Sequence, residues 1–272
     1  MSIVGYDDPG IATFPMPIIW KDCPNDLLNS ESKGMHFFER FMGFTPLTTT
    51  VSPGTMGQFL TFNGDTDTEV AVIDNSRYGG VRMETNTTED DAGALVSRPF
   101  GRIVENSGNK LWFEARVAPG DVDAALGIFV GLVELDGANS ELIIDTQLTN
   151  DSLDDQSYLG FFQNNGDDDA FAIVTQVAGS AGILVLADAT NGTGIPSDDR
   201  ASLTDGTFFR LGIRFDGIET VSFFVNGHKV ATAAVSTLDQ TQDMCAIVAI
   251  KTAAGAAELV DVSYIRAAFQ ER

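Results

Sequence analysis

Basic residues are scarce in this 272-residue chain: 16 Lys and Arg stand against 39 Asp and Glu, a formal charge of −23. Wrapping DNA or RNA needs clustered Lys and Arg against the phosphates, so this balance argues against nucleic acid as a partner. An anionic membrane surface is disfavoured for the same reason. Cysteine is scarcer still. Cys23 and Cys245 stand far apart in unlike contexts, and read as small buried hydrophobes, with a single disulfide as the minority reading. Histidine is limited to His36 and His228, which leaves few imidazoles for acid–base work. No run approaches the roughly 20 apolar residues that span a bilayer. The opening Met-Ser-Ile-Val-Gly-Tyr-Asp-Asp has neither the basic nor the apolar part of a secretory signal.

What is present is enough apolar material for a core, 43% of the chain, which argues for a folded protein and not an acidic tail. Residues 1–34 are set apart, because four of the nine prolines (Pro9, Pro15, Pro17 and Pro24) fall there. Proline lacks an N–H and disfavours helix before it, so this stretch reads as an extended arm. Its Phe14, Met16, Ile18, Ile19 and Trp20 are too apolar for water, at a cost of roughly 25 cal/mol per Å² that could be buried. Three destinations are open: an irregular strand packed on its own domain, an arm docked on a neighbouring subunit, or a disordered tail. The second makes those five residues partner-binding candidates.

From residue 35 to 272 the pattern is β throughout. Leu111, Phe113, Ala115 and Val117 alternate with Lys110, Trp112, Glu114 and Arg116, the period of a half-buried strand. Leu126 to Val133 is continuously apolar, as expected for a strand covered on both faces. Shorter candidates lie at 158–162, 171–177, 183–186, 208–215 and 220–225. Asn226-Gly227 then marks a hairpin turn into 229–235, since both residues tolerate positive φ. Strands at 244–250 and 258–267 close the chain. Many short strands with polar turns and no alternating helices predict one all-β sandwich of two antiparallel sheets.

The order of these segments is what makes a resemblance visible. His36-Phe-Phe-Glu-Arg-Phe-Met-Gly43 precedes Gly80-Val-Arg-Met-Glu84, Lys110-Leu-Trp-Phe-Glu-Ala-Arg-Val117 and Gly127-Ile-Phe-Val-Gly-Leu-Val133. Phe208 to Gly217, Val221-Ser-Phe-Phe-Val-Asn-Gly227 and Val262-Ser-Tyr-Ile-Arg266 follow. Over residues 36–268 this resembles the concanavalin A-like (lectin/glucanase) jelly roll. More narrowly, it is similar to jelly-roll proteins encoded among the structural genes of tailed bacteriophages. The same sandwich hosts lectins, glycosidases and capsid proteins, so the likeness speaks to fold more than to function.

Glycosidases of this fold resemble one another in a strand with Glu, Asp and Glu at alternating spacing, which aims paired carboxylates into a cleft. The nearest match here is Glu134-Leu135-Asp136, but Gly137 and Ala138 follow where a third carboxylate would stand. Solvated turn residues are the reading taken, no catalytic residue is assigned, and the chain is expected not to be an enzyme. Asp151, Asp154 and Asp155 and the run Asp167-Asp168-Asp169 are dense enough to hold Ca²⁺. They lack EF-hand spacing, so the expectation is no metal and no cofactor, with a structural calcium as the alternative. Trp112, in a strand centre, reads as core or inter-sheet packing.

The resemblance therefore implies a virion protein assembled in the host cytoplasm, a cement or decoration protein on the outside of the phage head. Its expected partners are the major capsid protein, other virion proteins and further copies of itself, with a trimer favoured. The alternatives are a glycan-binding, lectin-like module or fibre appendage for host attachment, and a glycosidase of the same fold.

Overall fold

The structure is a computed structural model that describes residues 18–24, 27, 33–41, 54–56, 58–63, 69–73, 79–85, 92–120, 126–134, 156–163, 171–178, 184–188, 206–252 and 257–272. Its first half carries β1 (Gly34–Glu39), β2 (Gly54–Met56), β3 (Phe59–Asn63), β4 (Glu69–Val72), β5 (Val81–Glu84), β6 (Ala92–Ser97), β7 (Lys110–Pro119) and β8 (Leu126–Glu134). The second half carries β9 (Tyr158–Gln163), β10 (Ala172–Gln176), β11 (Leu184–Asp188), β12 (Phe209–Phe215) and β13 (Thr220–Val225). It ends with β14 (His228–Ala234), β15 (Met244–Thr252) and β16 (Leu259–Gln270).

These strands form two eight-stranded sheets. Sheet A runs β14-β13-β12-β7-β16-β5-β4, and β1 pairs with the far half of β16 beside β5. Sheet B runs β11-β10-β9-β8-β15-β6-β3-β2. Every pairing is antiparallel. The long β7 and β16 lie side by side in sheet A, and β8 lies beside β15 in sheet B, so chain-distant segments form the backbone of each layer. The all-β, two-sheet expectation is met.

Period-2 patterning decides which side chains meet. Phe113, Ala115, Ile213 and Ile265 point inward from sheet A and meet Val130, Phe161, Ile173 and Val248 of sheet B in one core. At about 25 cal/mol per Å², this layer is the main stabilising contribution. The hairpin turn is where the sequence places it: Asn226 and Gly227 have φ of 50° and 87°, as a two-residue turn between β13 and β14 requires. Gly131 and Gly160 face each other across β8 and β9, and a Cβ on Gly131 would come within 2.4 Å of the Leu159 carbonyl oxygen. Cys23 and Cys245 are both free and buried.

Sheet A and sheet B differ on their outer faces. Sheet B's carries a second buried apolar cluster of Ala94, Val96, Phe129, Val133, Tyr158, Phe162, Val174, Cys245, Ile247 and Ala249, with Gln176 and Lys251 at the next outward positions of β10 and β15. Sheet A's outer face mixes aromatic rings with charges, and part of it is covered by residues 18–24.

Candidate functional site

Residues Ile18–Trp20 form a short 3₁₀ turn that lies on sheet A. Ile19 and Trp20, each 1% exposed, pack with Cys23, Leu27, Trp112, Phe224 and Ala268. The seat for this turn is Gly212 on β12, where a Cβ would stand 2.4 Å from Ile19 Cδ1. Of the three destinations open for the N-terminal apolar residues, Ile19 and Trp20 thus take their own sheet. The reason is specific chemistry as well as area. Trp20 Nε1 donates to Glu114 Oε2 at 3.3 Å, and the Arg266 guanidinium stacks 3.8 Å from the indole centroid. Ile18 is placed by its backbone in the turn, while Phe14 and Met16 lie outside the described residues.

Asp22 anchors the other end of the turn. Its carboxylate accepts from Lys110 Nζ at 3.0 Å, Arg214 Nη2 at 2.6 Å and Trp112 Nε1 at 3.2 Å. Burial pushes the Asp22 pKa up, but the hydrogen bonds from Lys110 and Trp112 and the charges of Arg214 and Lys110 outweigh it, leaving a net lowering. Trp112 is therefore fully buried, yet on the face of β7 opposite the inter-sheet core. Period-2 alternation already placed it opposite Phe113; what sequence could not show was its cover.

Beyond the turn's footprint the face stays polar and aromatic. Tyr264 donates its hydroxyl to Glu114 Oε1 at 2.5 Å, and burial, reinforced by the Glu114 charge, pushes the Tyr264 pKa up. Phe38 on β1 is 46% exposed, packed edge-on to Tyr264 with the Arg40 guanidinium 5.1 Å from its ring. His36, beside it, is held neutral: burial and then the Arg266 charge lower its pKa to about 4.

Glu134 is not on an outer face at all. It ends β8 on the same side as Val130 and Leu132, is 6% exposed, and accepts a 3.0 Å hydrogen bond from the Ser157 N–H. Ser157 Oγ in turn donates to Asp239 Oδ2 at 2.8 Å and accepts from the Ala178 N–H at 3.2 Å. This carboxylate ties β8 to the start of β9 at the sandwich rim, so it is structural and not the solvated turn residue its sequence context suggested. Asp136 and the Asp151–Asp155 and Asp167–Asp169 groups lie outside the described residues. Among the described residues no three His, Cys, Asp or Glu side chains converge where a metal ion could sit.

This fold is shared with proteins of known structure. A protein of unknown function from Shewanella oneidensis MR-1 superposes with a TM-score of 0.54 at 8% identity, over 88% of this chain and 87% of that one. The Emp47p carbohydrate recognition domain gives 0.51 at 8% identity, over 89% and 98%. Bacillus licheniformis β-glucanase gives 0.52 at 11% identity, over 88% and 99%. The fold is a concanavalin A-like jelly roll. No family model matches the sequence, and no curated protein matches it. Identities this low show the jelly roll and carry no activity with them. They do overturn one expectation: enzymes such as the β-glucanase share this jelly roll, so the absence of enzymatic activity is not a conclusion for this chain.

The residues that build the polar face of sheet A were missed as a group, although a signal existed. Lys110, Glu114, Arg116, Arg210, Arg214 and Arg266 all fall on outward positions of β7, β12 and β16, opposite the inward apolar set. In a chain this short of cations, their concentration on one face was legible from alternation and strand pairing together.

Proposed function

We propose that this jelly roll is a virion structural protein, a decoration protein that binds the outside of an assembled phage head and stabilises it. The observation that carries this reading is the contrast between the two outer faces. Among the described residues, sheet B's outer face carries a buried apolar cluster and no exposed large hydrophobic side chain. Sheet A instead presents Phe38, an exposed aromatic flanked by Arg40 and Tyr264. Exposed aromatics beside arginine are the residue types that dominate protein–protein contacts. In this reading Phe38 contacts the major capsid protein or a second copy in a trimer, and Phe14 and Met16 add contact from the N-terminal arm. A protein that binds only the assembled shell shifts the equilibrium toward the intact particle by mass action. The acidic surface keeps particles from associating with one another or with loose nucleic acid.

Co-sedimentation with purified heads tests this. The full chain is expected to pellet with heads, and Phe38→Asp, at an already exposed position, is expected to stay folded and remain in the supernatant. Equal pelleting of both proteins removes Phe38 from the interface; pelleting of neither contradicts the decoration role.

A second reading, a glycan-binding module, is favoured by one finding: a carbohydrate recognition domain is among the structures that share the fold. Glycan-array binding that disappears with EDTA would promote it over the first, and would also revive a structural calcium.

A further inference from the structure

We propose that Arg116 and Arg210, side by side on the outer face of sheet A, form a binding site for an oxyanion, such as a uronate carboxylate or inorganic phosphate. The two residues are direct cross-strand partners on β7 and β12, and Tyr264 on β16 is the next residue in the same row. Like charges so placed destabilise a sheet. A chain with 39 acidic residues does not lack carboxylates to relieve the pair. Yet among the described residues neither guanidinium forms an ion pair, whereas Arg82, Arg102, Lys110 and Arg214 all do. The nearest outward carboxylate on β7, Glu114, is already engaged by Trp20 and Tyr264.

Instead, neutral groups orient the two cations. Arg116 Nη1 donates to Ser263 Oγ at 3.1 Å, and its guanidinium lies 4.0 Å from the Phe208 ring centroid. Arg210 Nη2 donates to the Asn226 carbonyl at 3.2 Å, and its backbone N–H donates to Asn226 Oδ1 at 3.0 Å. Asn226 is tied to β12 by its own N–H, which donates to the Arg210 carbonyl at 2.8 Å. A guanidinium carries five N–H donors, and one neutral acceptor holds each in place, leaving a preset fork for a bidentate oxyanion. Burial is the largest influence on Arg116 and lowers its pKa; Tyr264 opposes this, and the like charge of Arg210 adds a smaller lowering, so the net shift is downward. This site does not depend on the decoration reading.

Isothermal titration calorimetry of the full chain at low ionic strength, with sodium phosphate and methyl glucuronide as probes, tests it. Saturable binding is expected for wild type and should weaken at least tenfold in Arg116→Gln/Arg210→Gln. Arg82→Gln, which removes a cation already paired with Asp261, should bind as wild type does. Tighter glucuronide binding assigns a sugar carboxylate, and tighter phosphate binding assigns a phosphate; both support the site. If the double variant fails to fold, Arg116→Lys carries the same test, because it keeps the charge and loses the fork. No saturable binding of either probe, or equal affinity in wild type and variants, overturns the proposal.

Discussion

Replacing Trp20 by alanine tests whether residues 18–24 belong to this sandwich. Trp20 is 1% exposed, is stacked under Arg266 at 3.8 Å, and supplies one of the donors to Glu114, itself only 7% exposed. Removing a buried Trp side chain costs about 3–5 kcal/mol. The loss of a hydrogen bond to a buried carboxylate is part of that figure and by itself is worth about 1–3 kcal/mol. Because a short terminal turn can lift away, the total is capped by what the turn contributes, so the lower end, about 3 kcal/mol, is expected. Domains somewhat smaller than this lose roughly 2–4 °C per kcal/mol, which puts the drop in Tm near 10 °C. Trp20→Phe keeps the ring and loses the N–H, and should fall between the variant and wild type. Thermal unfolding followed by far-UV circular dichroism measures both. Unchanged melting in Trp20→Ala would refute the account and return the turn to a free arm.

Further outcomes follow from the same geometry. Gly212→Val should displace the turn, since the added Cβ meets Ile19 Cδ1 at 2.4 Å; urea denaturation should show about 1–3 kcal/mol lost, and an unchanged midpoint would contradict the seat. Asp22 has a folded pKa below its ordinary value of 3.8, so its stabilisation is present above that pH and lost as pH falls through the lower folded value. Asp22→Asn should therefore be less stable than wild type at pH 7 and converge with it in acid. A stability gap unchanged down to full protonation would contradict the charge network. Burial raises the thiol pKa to about 11 at Cys23 and about 12 at Cys245, against 9.0 for a free thiol. Native labelling at pH 8 should then run at least about a hundredfold slower than in urea, and comparable rates would place a thiol at the surface.

The parts of the structure that were legible are those set by alternation. Phe113 and Trp112 sit on opposite faces of β7 because the strand period is two, and Asn226-Gly227 turns where positive φ is cheapest. What sequence could not supply was cover. Trp112 reads as core or inter-sheet packing; it is buried, but beneath a turn ninety residues earlier, bonded through Asp22, that nothing local announces. Glu134 looked like a solvated turn residue because its partner, the Ser157 N–H, comes from the next strand. The arm's fate was undecidable for the same reason: apolar content says that Ile19 and Trp20 must be buried, whereas Gly212, Glu114 and Arg266 say where. The oxyanion site was hidden in plain alternation, visible only once strand pairing set Arg116 beside Arg210.

The central claim, that this jelly roll coats the outside of a virion, is tested most directly by immunogold electron microscopy of intact particles with antibody raised against the purified chain. Gold is predicted in a regular distribution over the outer surface of the heads. Heads left unlabelled while the antibody still recognises the folded protein in solution would contradict it.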